Sequence, residues 1–292
     1  GDYEGFRLRR GLTGTTTVPT LYEQQHLGDF SDVGGPVIPS SAFDPVGLAY
    51  FQAYPKPTNG NATDNYTASP VKSQNSNTFD IRIDEHFSSS HALFARYSYN
   101  NVDTFSPPLL PKTTVNVGGN NVSLYPGDGY QGGQVTFAGQ AKERQQNIAL
   151  GYQFVIRPNL LLELKAGYLR SNIASLPVNG GNDVATQIGF PCTNQSCINV
   201  PGNSATAGLP MIFIIGSPYQ SLGDAIFLPL TTIDNTFIYN GSLSWVHGAH
   251  SFKFGGGVIR RQMAAGQSSY PRGLYLLIPG FDAFIPGATG SA

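Results

Sequence analysis

The chain has 292 residues, with 17 Lys and Arg against 18 Asp and Glu and a formal net charge of −1, so it carries no basic footprint for nucleic acid. Charged residues are 12% of the chain, against about 25% in ordinary soluble domains. The 35 Gly, 21 Pro, 15 Tyr and 18 Phe predict an all-β fold with long loops, and no apolar run approaches the roughly 18–20 residues of a membrane helix.

The chain opens on Gly1 in the middle of a pattern and is expected to be a fragment or a processed piece. At 3–10, "YEGFRLRR" sets Phe6 and Leu8 against Arg7 and Arg9. An irregular stretch to about Ser76 follows. Within it, "SSAFDPVGLAYFQAYP" at 40–55 predicts a short helix with Asp44 as N-cap and Pro45 at the first helical position. Val46, Leu48, Ala49, Phe51 and Tyr54 would cover an apolar patch there. At 79–100, "FDIRIDEHFSSSHALFARYSYN" puts Phe79, Ile81, Ile83, Leu93, Ala95, Tyr97 and Tyr99 on one face. Asp80, Arg82, Asp84, Arg96, Ser98 and Asn100 take the other.

A second irregular stretch spans about 101–144. "QNIALGYQFVI" at 146–156 then aligns Ile148, Leu150, Tyr152 and Phe154, and "RPN" turns it into "LLLELKAGYLR" at 160–170. There Leu162, Leu164, Ala166 and Tyr168 oppose Glu163, Lys165 and Gly167. A third long stretch covers about 173–231. "NTFIYNGSLSWV" at 235–246 aligns Phe237, Tyr239, Leu243 and Trp245, and "HGAH" turns it into "SFKFGGGVIRR" at 251–261.

The order is therefore about seven strands of about 9–12 residues, joined alternately by tight turns and long loops. Such strands cross a bilayer when tilted by about 45°. One-sided long loops mark a transmembrane β-barrel, with short periplasmic turns, long extracellular loops and alternating lipid and lumen faces. Lipid-facing positions would be Phe79, Ile81, Ile83, Leu93, Tyr97, Leu150, Tyr152, Leu162, Leu164, Phe237, Tyr239 and Trp245. Lumen-facing polar positions would be Asp80, Arg82, Asp84, Arg96, Glu163 and Lys165. Seven strands are too few for a single-chain barrel, so the reading is one section of a larger one.

Specific segments support a narrower reading. "DYEGFR" at 2–7, "GDFSD" at 28–32, "VIPSSAFDPVGLAYFQAYPKP" at 37–57 and "NTFDIRIDEHFSSSHALFARYSY" at 77–99 occur in that order. "RPNLLLELKAGYLR" at 157–170 and "LSWVHGAHSFKFGGGVIRR" at 243–261 follow. Together they resemble the barrel of TonB-dependent outer-membrane receptors of the Oar-like group, over roughly 1–261. Between "GDFSD" and "VIP" the chain has only "VGGP", where relatives carry a longer insertion. The resemblance implies a plugged barrel of roughly 22 strands in the outer membrane of a Gram-negative bacterium. The implied partners are outer-membrane lipid, a plug domain of the same full-length chain, the TonB complex acting through segments not present here, and an external ligand of unknown kind. No residue contacting TonB transfers onto this chain.

Other constellations read as structure. Asp80, Asp84, Glu85 and His86 offer a metal site, but alternation alone explains them as a polar ladder. Glu163 with Lys165, and Arg96 with Asp80 or Asp84, are expected as cross-strand ion pairs. The glycines of "FGGGVIRR" sit in a strand and imply close packing. Cys192 and Cys197 in "PCTNQSCI" suit a small disulfide loop, with free thiols or half a metal site as alternatives. Asn61, Asn65, Asn121, Asn194 and Asn240 open Asn-X-Ser/Thr triplets, expected by chance in so Asn-rich a chain. His26, His86, His91, His247 and His250 fall at predicted turns or loops. No nucleophile elbow occurs, so no enzyme and no cofactor is expected. The competing readings are a non-energised channel or adhesin on a similar barrel, and a secreted carbohydrate-binding sandwich.

Overall fold

The computed structural model describes residues 1–127, 130–131, 134–135, 137–191, 203 and 205–277. Seven long strands make one antiparallel sheet, paired in chain order. They are β1 (Asp2–Gly11), β2 (Val71–Ser88), β3 (His91–Ser106), β4 (Gly139–Arg157), β5 (Leu160–Pro177), β6 (Leu230–His247) and β7 (His250–Gln267). Among the described residues β1 and β7 do not pair with each other, so the sheet is open.

The three expected hairpins all form. Their turns are centred on Ser89–Ser90, Pro158–Asn159 and Gly248–Ala249, where Gly248 takes φ 57°. All three lie at one end of the sheet. The long connections lie at the other end, as the antiparallel order requires.

The strands are longer than the alternation predicted. β2 to β7 run 16–19 residues, and only β1, at 10, matches the expectation. The added residues sit at the long-loop end. There "KSQNSNT" of β2 (72–78) is polar on both faces, so no alternation marks it as strand. Eighteen residues extend about 60 Å, beyond the roughly 42 Å needed to cross a 30 Å hydrocarbon layer at 45°. Strands of this length would continue past a bilayer. His86, His91, His247 and His250, expected in turns, are strand residues near the hairpin ends.

The stretches expected to be irregular are folded. They form short strand pairs at 14–16 with 66–68, 113–117 with 120–124, and 211–214 in parallel with 274–277. They also form α1 (Leu21–Gln25), α2 (Pro45–Gln52) and α3 (Val184–Gln187). The buried hydrophobic core lies here and not on the sheet. Val18, Tyr50, Leu110, Val115, Val122, Ile188 and Leu209 pack into one cluster drawn from three connections. α2 forms as predicted, with Asp44 Oδ1 accepting from the Gly47 amide at 2.8 Å and Pro45 opening the helix. Its buried face is Ala49 and Tyr50; Val46 and Tyr54 pack at the edge.

Candidate functional site

Three surfaces meet at the long-loop end: the two faces of the sheet and the cap of packed connections. The strand register places Asp80, Arg82, Asp84, Arg96, Glu163 and Lys165 on one face. The same register places Phe79, Ile81, Ile83, Leu93, Tyr97, Leu150, Tyr152, Leu162, Leu164, Phe237, Tyr239 and Trp245 together on the other.

The polar face neutralises itself. Arg96 binds Asp80 across β2 and β3 at 2.8 Å, and Ser98 donates to the same carboxylate. Arg82 lies directly opposite Arg96. It is held by Asp84 at 2.7 Å and covers the Phe94 ring at 4.6 Å. Phe94 in turn fills the space over Gly151, where a Cβ would lie 2.0 Å from the ring. Glu163 accepts from Gln153 and Ser242 and pairs with Lys253 of β7 at 3.7 Å. It does not pair with Lys165, as expected from sequence. Lys253 reaches Glu163 diagonally across β6 instead. Asp234 and Arg261 form a further pair nearer the cap. The glycines of β7 do accept close neighbours: Asn240 lies against Gly257 and Ser242 against Gly255. Among the described residues no three His, Cys, Asp or Glu side chains gather as metal ligands.

The apolar face is bounded by two rows of rings. Near the cap, Phe79 stacks on Tyr99 at 5.2 Å and Tyr168 meets Phe237 at 5.0 Å. Their hydroxyls are tied to the next polar row: Tyr3 donates to Asn77 at 2.9 Å and Tyr168 to Asn235 at 2.8 Å, while Gln146 donates to Tyr97 at 2.9 Å. Near the turns, His91 stacks on Phe154 at 4.2 Å and Trp245 meets Phe252 at 5.6 Å. Between the rows the outward residues are mostly Leu, Ile, Val, Ala and Gly, with Tyr152, Tyr239 and Glu85 among them. On β5 the band runs from Leu160 to Tyr168, about 27 Å along the strand and about 19–22 Å high at barrel tilt.

The cap is stitched by buried polar groups that the sequence reading did not single out. The Asn65 side chain, 0% exposed, accepts from the Val18 amide and donates to the Val18 carbonyl, both at 2.8 Å. That burial rules out a glycan at this triplet. Glu23, also 0% exposed, closes a capping box with Thr20 and accepts from the Tyr219 hydroxyl at 2.5 Å. "TLYE" at 20–23 is the sequence signature of that box. Tyr50 and Tyr54 donate to the carbonyls of Pro210 and Gln220.

Asp224 is the hub. It accepts from the Asn179 amide and side chain and from the Leu209 amide, and lies 3.5 Å from Arg272, with neither charge more than 3% exposed. Arg272 donates on to the carbonyls of Ala225 and Leu228. Burial pushes the Asp224 carboxyl above the ordinary range, although the Arg272 charge and its hydrogen bonds pull the other way. Burial also lowers Arg272. Burial and the Glu23 carboxylate together push the Tyr219 phenol up. Cys192 and Cys197, with the triplet at Asn194, lie outside the described residues.

A long-stranded sheet with one apolar and one charged face, ringed at both margins and capped at one end, fits the family comparison. Residues 1–283 match the model of an outer membrane beta barrel domain. The chain belongs to that outer membrane β-barrel family. It is accordingly an outer-membrane protein, with the short turns periplasmic and the capped end extracellular. No curated protein and no solved structure matches the chain.

Proposed function

We propose that this barrel domain is a section of the wall and extracellular vestibule of a TonB-dependent receptor of the Oar-like kind, taking up an external ligand. The observation that carries the reading is the segregation of the two faces beneath a packed cap. The apolar face, between its ring rows, meets lipid. The polar face meets the lumen and, through its ion-pair ladder, a plug domain of the full-length protein. A ladder whose charges already cancel suits a wall against which a plug must slide more than a pore that selects ions. The cap supplies rigid, aromatic-rich loops where a ligand would dock before the plug is remodelled by the TonB complex. The open edge of β7, 18 residues long, requires a neighbouring strand, because an unpaired edge has no place in hydrocarbon.

The test is uptake in cells carrying the full-length gene, offered fluorescent peptide and oligosaccharide pools. Accumulation that needs both this gene and TonB supports the proposal. Accumulation that persists without TonB would establish a passive channel instead. Surface binding without entry in either strain would establish an adhesin.

A further inference from the structure

We propose that the apolar face holds one phosphorylated glycolipid of the outer leaflet. Its phosphates sit on Arg144, Arg170 and Arg260, and an acyl chain lies in the hollow beneath them. The inference rests on the reading that this face meets lipid.

The first observation is an imbalance of charge. On the polar face, Arg82, Arg96, Lys253 and Arg261 each have a carboxylate partner. On the outward face, at and just above the upper ring row, stand Arg7, Arg9, Arg144, Arg170 and Arg260. None of these has an acidic partner among the described residues. Arg170 leans on the Asn235 amide oxygen at 3.2 Å, and Arg7 and Arg9 spend their donors on Asn77, Asn75 and backbone carbonyls. Arg144 and Arg260 are exposed, and among the described residues their side chains make no hydrogen bond. The outward carboxylate at this level is Asp103, directly opposite Lys142.

The register brings three of these arginines within reach of one headgroup. Arg170 pairs across to Gln146, so Arg144 is its diagonal neighbour on β4, about 7–8 Å away. Arg260 pairs with Phe237, one row nearer the turns on β7. Guanidinium forks match phosphate oxygens bidentately and are lightly hydrated, which suits them to the membrane interface. A cap-side cationic cluster faces the outer leaflet, whose lipid is a phosphorylated glycolipid; the inner leaflet lies at the turns.

The second observation is the hollow. One and two rows below Arg260, the outward face recedes into a cavity of about 780 Å³. Ala166, Gly241, Gly256, Tyr152, Tyr239 and Val258 are among the residues that line it. Gly241 and Gly256 pair directly across β6 and β7, so two missing side chains coincide. In hydrocarbon such a depression must be filled, and a single acyl chain anchored by the headgroup above it fits.

The experiment uses the full-length protein, extracted from native outer membranes and freed of bulk lipid on a column. Lipid extracts are then quantified by mass spectrometry. About one phosphorylated glycolipid per protein is expected, falling at least fivefold in the R144Q/R170Q/R260Q variant and retained in R144K/R170K/R260K. Gly241→Leu, which fills the hollow and leaves the arginines, should also lower the ratio. Each variant is first shown to be folded by its heat-modifiable migration. Equal glycolipid in the wild-type and glutamine variants, or a co-purified phospholipid indifferent to charge, overturns the proposal. Quenching of Trp245 by brominated lipid, compared with Trp245→Phe, separates the two readings. Quenching with unchanged glycolipid defeats this inference alone; absence of quenching defeats the lipid-facing assignment beneath it.

Discussion

Asp224 and Arg272 show what a buried charge does in a cap made of loops. Three hydrogen-bond donors converge on the carboxylate, and the Arg272 guanidinium, ion-paired to it, reaches on to two carbonyls, so one pair fixes segments near 179, 209, 225–228 and 272. Asp224→Ala removes the acceptor of all three hydrogen bonds and leaves the guanidinium buried with no partner on that side. It should destabilise the cap by about 3–5 kcal/mol, read as faster hydrogen exchange at Leu209 and Asn179. The pH dependence has a definite sign. The folded carboxyl holds its proton more tightly than its ordinary value of 3.8. Its contribution to stability is thus complete below 3.8 and is lost as pH rises through the raised folded value. Cap protection in the wild type, measured relative to Asp224→Ala, should therefore decline across that window. Asn65→Ala strands the amide and carbonyl of Val18 together and should cost about 2–4 kcal/mol, seen as protease cleavage near 58–66.

At the scale of elements, alternation is informative only where the two faces of a strand see different surroundings. Phe79–Ile83, Ile148–Phe154 and Leu160–Tyr168 have an apolar face on one side and polar partners on the other, and there the strands, their turns and the division into two faces were legible. Residues 71–78, 101–106, 139–145 and 171–177 are strand too, but beyond the apolar band both faces are wet and the period vanishes. The α2 helix was legible because Asp44 and Pro45 act locally. The cap core was not, because Val18, Tyr50, Leu110, Val122 and Leu209 are single apolar residues from distant connections with no shared period. Glu163 lies on the polar face, as alternation indicates, but its ion-pair partner is Lys253 rather than Lys165, since sequence spacing does not reveal which diagonal a lysine takes. Packing between elements yields its own prediction. Gly151→Ala drives a methyl into the Phe94 ring and should cost about 1–3 kcal/mol, read as a lower melting midpoint of heat-modifiable migration. Adding Phe94→Ala should recover much of that loss, while also freeing Arg82 from its ring.

For the whole molecule, everything turns on which face of the sheet meets lipid, and a pair of adjacent residues can decide it. Leu164 and Lys165 are neighbours on β5 and point to opposite faces; Leu164 sits at the centre of the band from Leu160 to Tyr168 and is 44% exposed. If the apolar face meets hydrocarbon, Leu164→Arg places a charge at the bilayer midplane and should destabilise the folded barrel by about 2–4 kcal/mol. Lys165→Gln, in a wet lumen, should stay within about 0.5 kcal/mol. Both are measured by urea unfolding of the full-length protein in lipid vesicles, where the reference state remains in contact with the membrane. A further substitution sharpens the comparison by depth. Asn235→Leu, one row above the Tyr168 ring, should have little effect if that row marks the end of the hydrocarbon, although Tyr168 loses its hydrogen-bond acceptor there. Equal costs at Leu164 and Lys165 would mean that neither face meets lipid, and the seven strands would then have to bury their apolar face against another protein surface. A large cost at Lys165 with none at Leu164 would turn the sheet inside out and place the glycolipid arginines in the lumen.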